Sequence, residues 1–482
     1  MTDTAAAPGG PAAAPPAGPA ASARTVVGLL VLFELMSGFL QTGIAPLLPD
    51  LGDHHGVGDS AVNWVISVQL LSGAVLVPVF GRLGDLHGHR RMLRVALVSV
   101  AAGTLLLALA PNFTALLLAR VLQGALVALL PLEIALVRNR LPVEQARAAI
   151  ARLVGALTLG SLVGAVAMGA ISQAVADLRL VLLVPALLAL ACVPVAFWRI
   201  PESVPRTAGG PDWPGACLLG AALVTLLAGV SRAEHGGWLS AQVLLPLLAC
   251  AVLAGVWVRV ELRTEDPLVD LRALRGRAVA PFYLTSFFFG VLYFGSQSPN
   301  ATFLAADAGT DGYGFGLHAL AISLVGLPAT LAALATSSCT ALIARRIGYR
   351  PTLIAAFSLI TAGFVALAVL HDALWQVVAA LLLCGTGTGA ALGAMPTVIV
   401  EATPVDRTGV ASALYNNAKT VGGAVAGGAI ASLLASATPL GGATPSEGGY
   451  TAVWAMCAVF GLAAVIAVAL GRVSNVLVTT TR

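Results

Sequence analysis

The chain has 482 residues, of which 58% are hydrophobic and only 10% charged, with a mean hydropathy of +0.92. A soluble domain carries about 25% charged residues, so this composition excludes a water-soluble globular protein. Lipid is the expected solvent for most of the surface, and the placement of charge matters more than the formal net charge of +4.

Residues 1–24 are rich in Ala, Pro and Gly and hold one basic residue, Arg24. They read as a disordered tail. A signal peptide would need a basic start and a cleavage site. A membrane-crossing helix needs roughly 20 mostly apolar residues. Such runs lie near 25–49, 62–80, 93–110, 113–137, 148–172, 178–198, 213–231 and 239–260. Six more lie near 279–305, 315–342, 352–370, 374–400, 408–435 and 450–472. The expected fold class is therefore an all-α membrane protein with fourteen spans.

Arginines mark alternate connections. Arg82, Arg90, Arg91 and Arg94 flank the second, and Arg138, Arg140 and Arg147 lie in the fourth. Arg199 and Arg206 lie in the sixth, Arg259, Arg263, Arg272, Arg275 and Arg277 in and beside the eighth, Arg345, Arg346 and Arg350 in the tenth, and Arg407 in the twelfth. The odd connections show only Arg179 and Arg232. Positive charge stays inside, so even connections and both termini are expected in the cytoplasm. Gly88-His89-Arg90 and Gly348-Tyr349-Arg350 stand in register, suggesting two six-helix halves at 25–200 and 279–472. A linker at 201–278 holds two extra spans, and a cytoplasmic tail follows at 473–482. Repeated halves are typical of transporters that alternate access around a midplane site.

Polar residues inside the spans are the candidate site. In the first span Glu34, Ser37, Gly38 and Gln41 share one face at i, i+3, i+4 and i+7. Glu34 sits roughly 13 Å deep at 1.5 Å per residue, where an unpaired carboxylate favours its protonated form. It reads either as a proton carrier or as a protonated tie between helices. After the second span comes Gly81-Arg82-Leu83-Gly84-Asp85-Leu86-His87-Gly88-His89-Arg90-Arg91, whose glycines allow a tight turn and whose Asp85 can accept from a helix N-terminus or an Arg. In the fourth span, Arg120 of Arg120-Val121-Leu122-Gln123-Gly124 faces a cavity or partner, or snorkels to the outer interface. Glu133 points about 140° away from Arg120 on an ideal helix, which suggests a gate or packing role. The fifth span is rich in small residues, including Gly160, Ser161 and Gly164, that allow close helix packing. Lys419, the sole lysine, is placed toward a central cavity, at the cytoplasmic latch or at the membrane interface. Six cysteines form no CxxC pair, which disfavours zinc or disulfide chemistry.

These strings resemble a known family. The basic turn closely matches the signature between the second and third helices of the major facilitator superfamily, and Arg120 to Gly124 is similar to its RxxQG signature. Asp212-Trp213-Pro214-Gly215, Gly237-Trp238, Pro267-Leu268-Val269-Asp270-Leu271 and Trp64-Val65 resemble the fourteen-span drug:proton antiporter branch. So does Arg407-Thr408-Gly409-Val410-Ala411-Ser412 with Asn417 and Lys419. The resemblance covers about residues 26 to 472. It implies a major facilitator fold of two six-helix halves plus two central helices. It also implies a cytoplasmic latch formed by Gly81, Asp85, Gly88, Arg90 and Arg91 against the start of the span near 408–435. Glu34 and Arg120 would couple protons. Ser37, Gln41, Gln123, Gly124 and Asn417 would line the substrate cavity, and Gly160, Ser161 and Gly164 would serve packing and the access change. Antiporters of the branch carry a Gly-Pro and paired glycines where this chain has Gly160-Ser161 and Gly164-Ala165, a departure that leaves the coupling open.

The leading expectation is proton-coupled efflux of an amphipathic drug or antibiotic across the bacterial cytoplasmic (inner) membrane. A proton-independent facilitator or symporter of a metabolite is the alternative, and a non-transporting membrane sensor belongs to another class. The chain shows no nucleotide-binding loop or metal cluster, so no enzyme activity, metal or cofactor is expected beyond the proton gradient. The expected partners are the small-molecule substrate, protons and the lipid bilayer, with no nucleic acid, and a monomer is expected.

Overall fold

The computed structural model describes residues 23–200, 210, 212–236, 240–264, 267–269, 271–272, 280–401, 408–439 and 444–471. The expected tails and all of the 201–209 joint, Arg206 included, lie outside the described residues, as do Gly237, Trp238, Asp270, Arg275, Arg277 and Arg407. In chain order the helices are α1 (Ala23–Gly43), α2 (Leu48–His55), α3 (Asp59–Val62), α4 (Trp64–His87), α5 (His89–Leu109), α6 (Phe113–Gln123), α7 (Leu129–Arg138), α8 (Val143–Ala174) and α9 (Leu178–Arg199). Next come α10 (Trp213–Gly236) and α11 (Ala241–Glu261). The rest are α12 (Ala280–Gly295), α13 (Gln297–Ala305), α14 (Ala319–Ile347), α15 (Tyr349–Val369), α16 (Leu374–Glu401), α17 (Thr408–Ser436) and α18 (Glu447–Leu470). No strand occurs among the described residues. Helices satisfy their own backbone polar groups, which hydrocarbon cannot do.

Twelve helical runs among the described residues are long and apolar enough to cross a membrane. Two of the fourteen expected runs differ from that standard. In α10, one helix over Trp213–Gly236, the apolar stretch whose side chains are all described is Trp213–Leu226. The run expected as one helix over 279–305 is broken at Ser296 into α12 and α13. Pro299 explains the break, because it lacks the N–H that would reach the Gly295 carbonyl. Two other spans are irregular without ending. A 3₁₀ turn at Ala45–Leu47 links α1 to α2 around Pro46, and a second at Gly124–Ala128 links α6 to α7.

Two apolar cores form separately. One is built from residues between Val26 and Ile200, the other from residues between Val269 and Val468. The repeat is visible at their basic ends. Gly88 and Gly348 both have positive φ, 98° and 90°, and each closes one helix and opens the next with a backbone that favours glycine. Two residues on, Arg90 donates to the Phe197 carbonyl at 3.4 Å, and Arg350 donates to the Ala469 carbonyl. Each arginine thus ties the third long helix of its half to the last.

The halves meet at the opposite end. A third core joins Ile44, Leu48, Val62, Ile66 and Leu70 to Phe294, Ala319 and Ala424. Asn63 donates to the Gly427 carbonyl, and Ser323 donates to the Ala165 carbonyl at 2.8 Å. Tyr450 donates to Asp59 and contacts Thr302 at 3.1 Å. By contrast, the core nearer the basic end of the first half contains no residue of the second. The extra helix α10 packs Leu219 and Leu223 against Ala74 of α4, with Val421 of α17 alongside. Its start is capped by Asp212, whose Oδ1 accepts from the Gly215 amide at 2.8 Å. Helix α11 packs on α10 and leaves Leu244, Leu245, Leu248, Val252 and Val256 exposed, a surface suited to lipid.

Candidate transport pathway

Helices α1 and α8 are held together by missing side chains. A Cβ on Gly160 would overlap the Leu35 carbonyl, and one on Gly164 would lie 2.5 Å from the Phe39 carbonyl oxygen. Gly38 faces back against Leu157 and Ser161. Thr42 Oγ1 donates to the Ser161 carbonyl at 2.5 Å. The small residues of the fifth span therefore form a smooth track on which α1 lies backbone to backbone.

Glu34 leaves α1 on another side and enters the core of the first half, fully buried. There it faces Glu133 of α7, also fully buried, with the Cys192 thiol beside Glu133. None of the four carboxyl oxygens has a hydrogen-bond partner among the described residues. Two ionised carboxylates without a cation would each bear an uncompensated desolvation penalty of several kcal/mol. Counting 100° per residue along one helix sends Glu133 away from Arg120 and gives it no partner. The 3₁₀ segment Gly124–Ala128 interrupts that count, and the pairing with Glu34 depends on how α1 docks.

Arg120 lies apart from this pair, 2% exposed. Its Nε donates to the Val65 carbonyl at 2.7 Å, and Nη1 donates to Gln123 Oε1 at 2.6 Å. Gln123 Nε2 in turn donates to Thr104 Oγ1 at 2.9 Å. The guanidinium thus pins α6 to α4 and, through Gln123, to α5. It forms no ion pair with a described residue. Gly124 packs against Ser72 and Gly73 of α4, so Gln123 and Gly124 are both committed to helix contacts in this arrangement. Arg120→Ala is expected to lower stability by about 3 kcal/mol, because it leaves a cavity and two unsatisfied acceptors. Denaturant unfolding in detergent would check this; unchanged stability would mean the network holds nothing together.

The other expected site residues are scattered. Asp85 pairs with His89 at 3.2 Å, within its own turn, and a Cβ on Gly81 would meet nothing within 4 Å. Arg90 and Arg94 are turned to the end of α9. The side chains at the start of α17, the expected latch partner of Asp85 and Arg91, are outside the described residues. Ser37 is buried, and Gln41 is half-buried. Asn417 is 8% exposed and its Oδ1 has no hydrogen-bond partner. Sequence reasoning missed the closure formed by Asp59, Asn63, Ser67, Gly427 and Tyr450. Each is an ordinary residue in its own helix, and only the approach of the two halves gives it a role.

A family model for the Major Facilitator Superfamily matches residues 30–427. The chain belongs to the Major Facilitator Superfamily. This superfamily member is 26% identical over 414 residues to the multidrug resistance protein Stp of Mycobacterium tuberculosis, covering 84% of this chain and 74% of the relative. It is 28% identical over 326 residues to the cephamycin export protein CmcT of Amycolatopsis lactamdurans, covering 64% of this chain and 65% of that one. The solved nucleoside transporter NupG superposes with a TM-score of 0.66 at 13% identity, covering 93% of this chain and 100% of the other, and shares the fold. The protein is a multi-pass membrane transporter and not an enzyme.

Proposed function

We propose that this superfamily member exports an amphipathic organic compound, of the drug or antibiotic type, in exchange for protons. The observation that carries the reading is the Glu34–Glu133 pair, two buried carboxyls that face each other with no hydrogen-bond partner among the described residues, where α1 meets α7. Relatives that export cephamycin or confer multidrug resistance support the cargo class. On this reading α10 and the α12–α13 run also cross the bilayer, giving fourteen spans. The two halves are residues 25–200 and 279–472, and the protein works as a monomer in the cytoplasmic membrane with both termini inside. The proton gradient is its energy source, and it needs no other cofactor.

With the basic connections in the cytoplasm, the contacts at the opposite end close the outer side, and the arrangement reads as inward-facing. Alternating access then breaks the outer contacts and closes the basic end, with Asp85 and Arg91 latching on the start of α17. Movement of α1 along the Gly160–Gly164 track changes what surrounds Glu34, so the pair takes its proton from one side and releases it to the other.

Everted membrane vesicles test this. Adding an exported compound is expected to dissipate a preset pH gradient. The uninterrupted α8, without the proline of related antiporters, favours a second reading, a proton-independent facilitator. Compound flux that persists at full rate without a gradient would select that reading, and absence of counterflow in proteoliposomes would remove transport altogether.

A further inference from the structure

Helix α17 presents one face to the first half, and that face changes character along its length. Near the closed end, Gly427 meets Ser67 and Gly423 meets Leu70 and Phe294. One turn further toward the basic end the same face carries Lys419, and one more turn carries Tyr415, at i−4 from each other. Lys419 Nζ lies 5.9 Å from the centre of the Phe294 ring and 5.6 Å from that of Tyr415. It is part-buried and makes no hydrogen bond or ion pair with a described residue. The acids of the second half whose side chains are described are Asp307, Asp311, Asp372 and Glu447, all in connecting segments or at a helix start. Glu34 and Glu133 are turned into the first half and toward each other. Among the described residues the cation therefore has no counter-charge.

One neighbouring donor is in the same condition. The Tyr415 hydroxyl is buried with no hydrogen-bond partner. Tyr293, which stacks on Phe289 and sits edge-on to Phe294, adds a second phenol close to Tyr415. Burying an unpaired cation in a membrane interior is costly and usually marks a functional partner. Two aromatic faces soften the cost through the ring quadrupole but do not cancel the charge. An ammonium flanked by phenol donors, with aromatic walls, suits an oxyanion carried on an apolar or aromatic body.

We propose that Lys419, with the Tyr415 and Tyr293 hydroxyls, is a binding site for an organic anion, and that the cargo carries a carboxylate or similar oxyanion on an aromatic or apolar frame. The inference rests on the export reading for the word cargo, though the site stands on its own geometry.

Because Lys419 is the sole lysine, amine chemistry reads this position alone, apart from the chain's N-terminal amine. The full-length protein in nanodiscs is treated with formaldehyde and cyanoborohydride, and dimethylation of Lys419 is followed by peptide mass spectrometry. The probes are naphthalene-1-acetate, its neutral carboxamide and 1-naphthylmethylamine. Methylation proceeds without a probe, and the carboxylate at about four times its Kd slows it about fivefold, while the amide and amine do not. An amine that stays unreactive, or equal slowing by the carboxamide, overturns the proposal. In proteoliposomes Lys419→Gln raises the KM for naphthalene-1-acetate about tenfold over Lys419→Arg, a loss of about 1.4 kcal/mol; equal KM values also overturn it. Protection without flux of any probe keeps the anion site and removes the export reading. Flux of the carboxamide without preference for the carboxylate does the reverse.

Discussion

Glu34→Gln is expected to leave the protein folded and to abolish the proton movement that accompanies export. The carboxyl is fully buried and has no cation or donor around it, so the fold already accommodates a neutral group at this position. Gln is neutral and nearly the same shape, and its amide can donate to Glu133. The stability change is therefore expected to stay within about 1 kcal/mol. The variant cannot release a proton, so adding compound to everted vesicles should leave a preset pH gradient intact, and any remaining flux should lose its pH dependence. Glu133→Gln serves as the partner experiment. Because the two carboxyls face each other as one site, both variants should lose coupling, and the double variant should add little. Dissipation at the wild-type rate in Glu34→Gln would end the proton role of this pair.

Gly427→Val is expected to drive the transporter out of the arrangement described above. A Cβ at this position would lie 2.5 Å from the Ser67 Cβ, and the hydroxyl beyond it would have to move as well. Ser67 can rotate its Oγ away but not its Cβ, so α4 and α17 must separate where Asn63 reaches the Gly427 carbonyl. Overpacking of this kind costs about 1–3 kcal/mol. The penalty falls on the closed end alone, so it changes the balance of access states by roughly 5- to 150-fold and leaves each half's own core untouched. A cysteine placed at Asp59 should react faster with a membrane-impermeant maleimide in Gly427→Val than in the Gly427 background. Gly427→Ala should fall between them. Equal labelling rates in all three would show that this contact does not hold the outer side shut.

How much was legible beforehand depended on the range of the interaction. Most of the long apolar runs, the two basic turns and the small-residue face of α8 are local properties, and they appear where the pattern placed them. Gly88 and Gly348 illustrate the point, since both need a left-handed backbone and that need is met within two residues. The break at Ser296 was equally local, written in Pro299, yet hydropathy smoothed over it because both pieces are apolar. Glu133 was harder. Its direction depends on the 3₁₀ segment at Gly124–Ala128, and no hydrophobic periodicity marks a change of helix type between two apolar stretches.

The sequence by itself determined the solvent, the family and most of the helices, because lipid burial and helix geometry act over a few turns. The tertiary structure alone decided the partners. It set Glu34 against Glu133, gave Arg120 carbonyl and amide acceptors instead of a carboxylate, closed one end through Asn63 and Gly427, 364 residues apart, and left Lys419 without an anion among the described residues. The physical reason is that an ionisable side chain in a low-dielectric interior is defined by what lies within a few ångströms of it. In a bundle of long helices those neighbours come from distant parts of the chain.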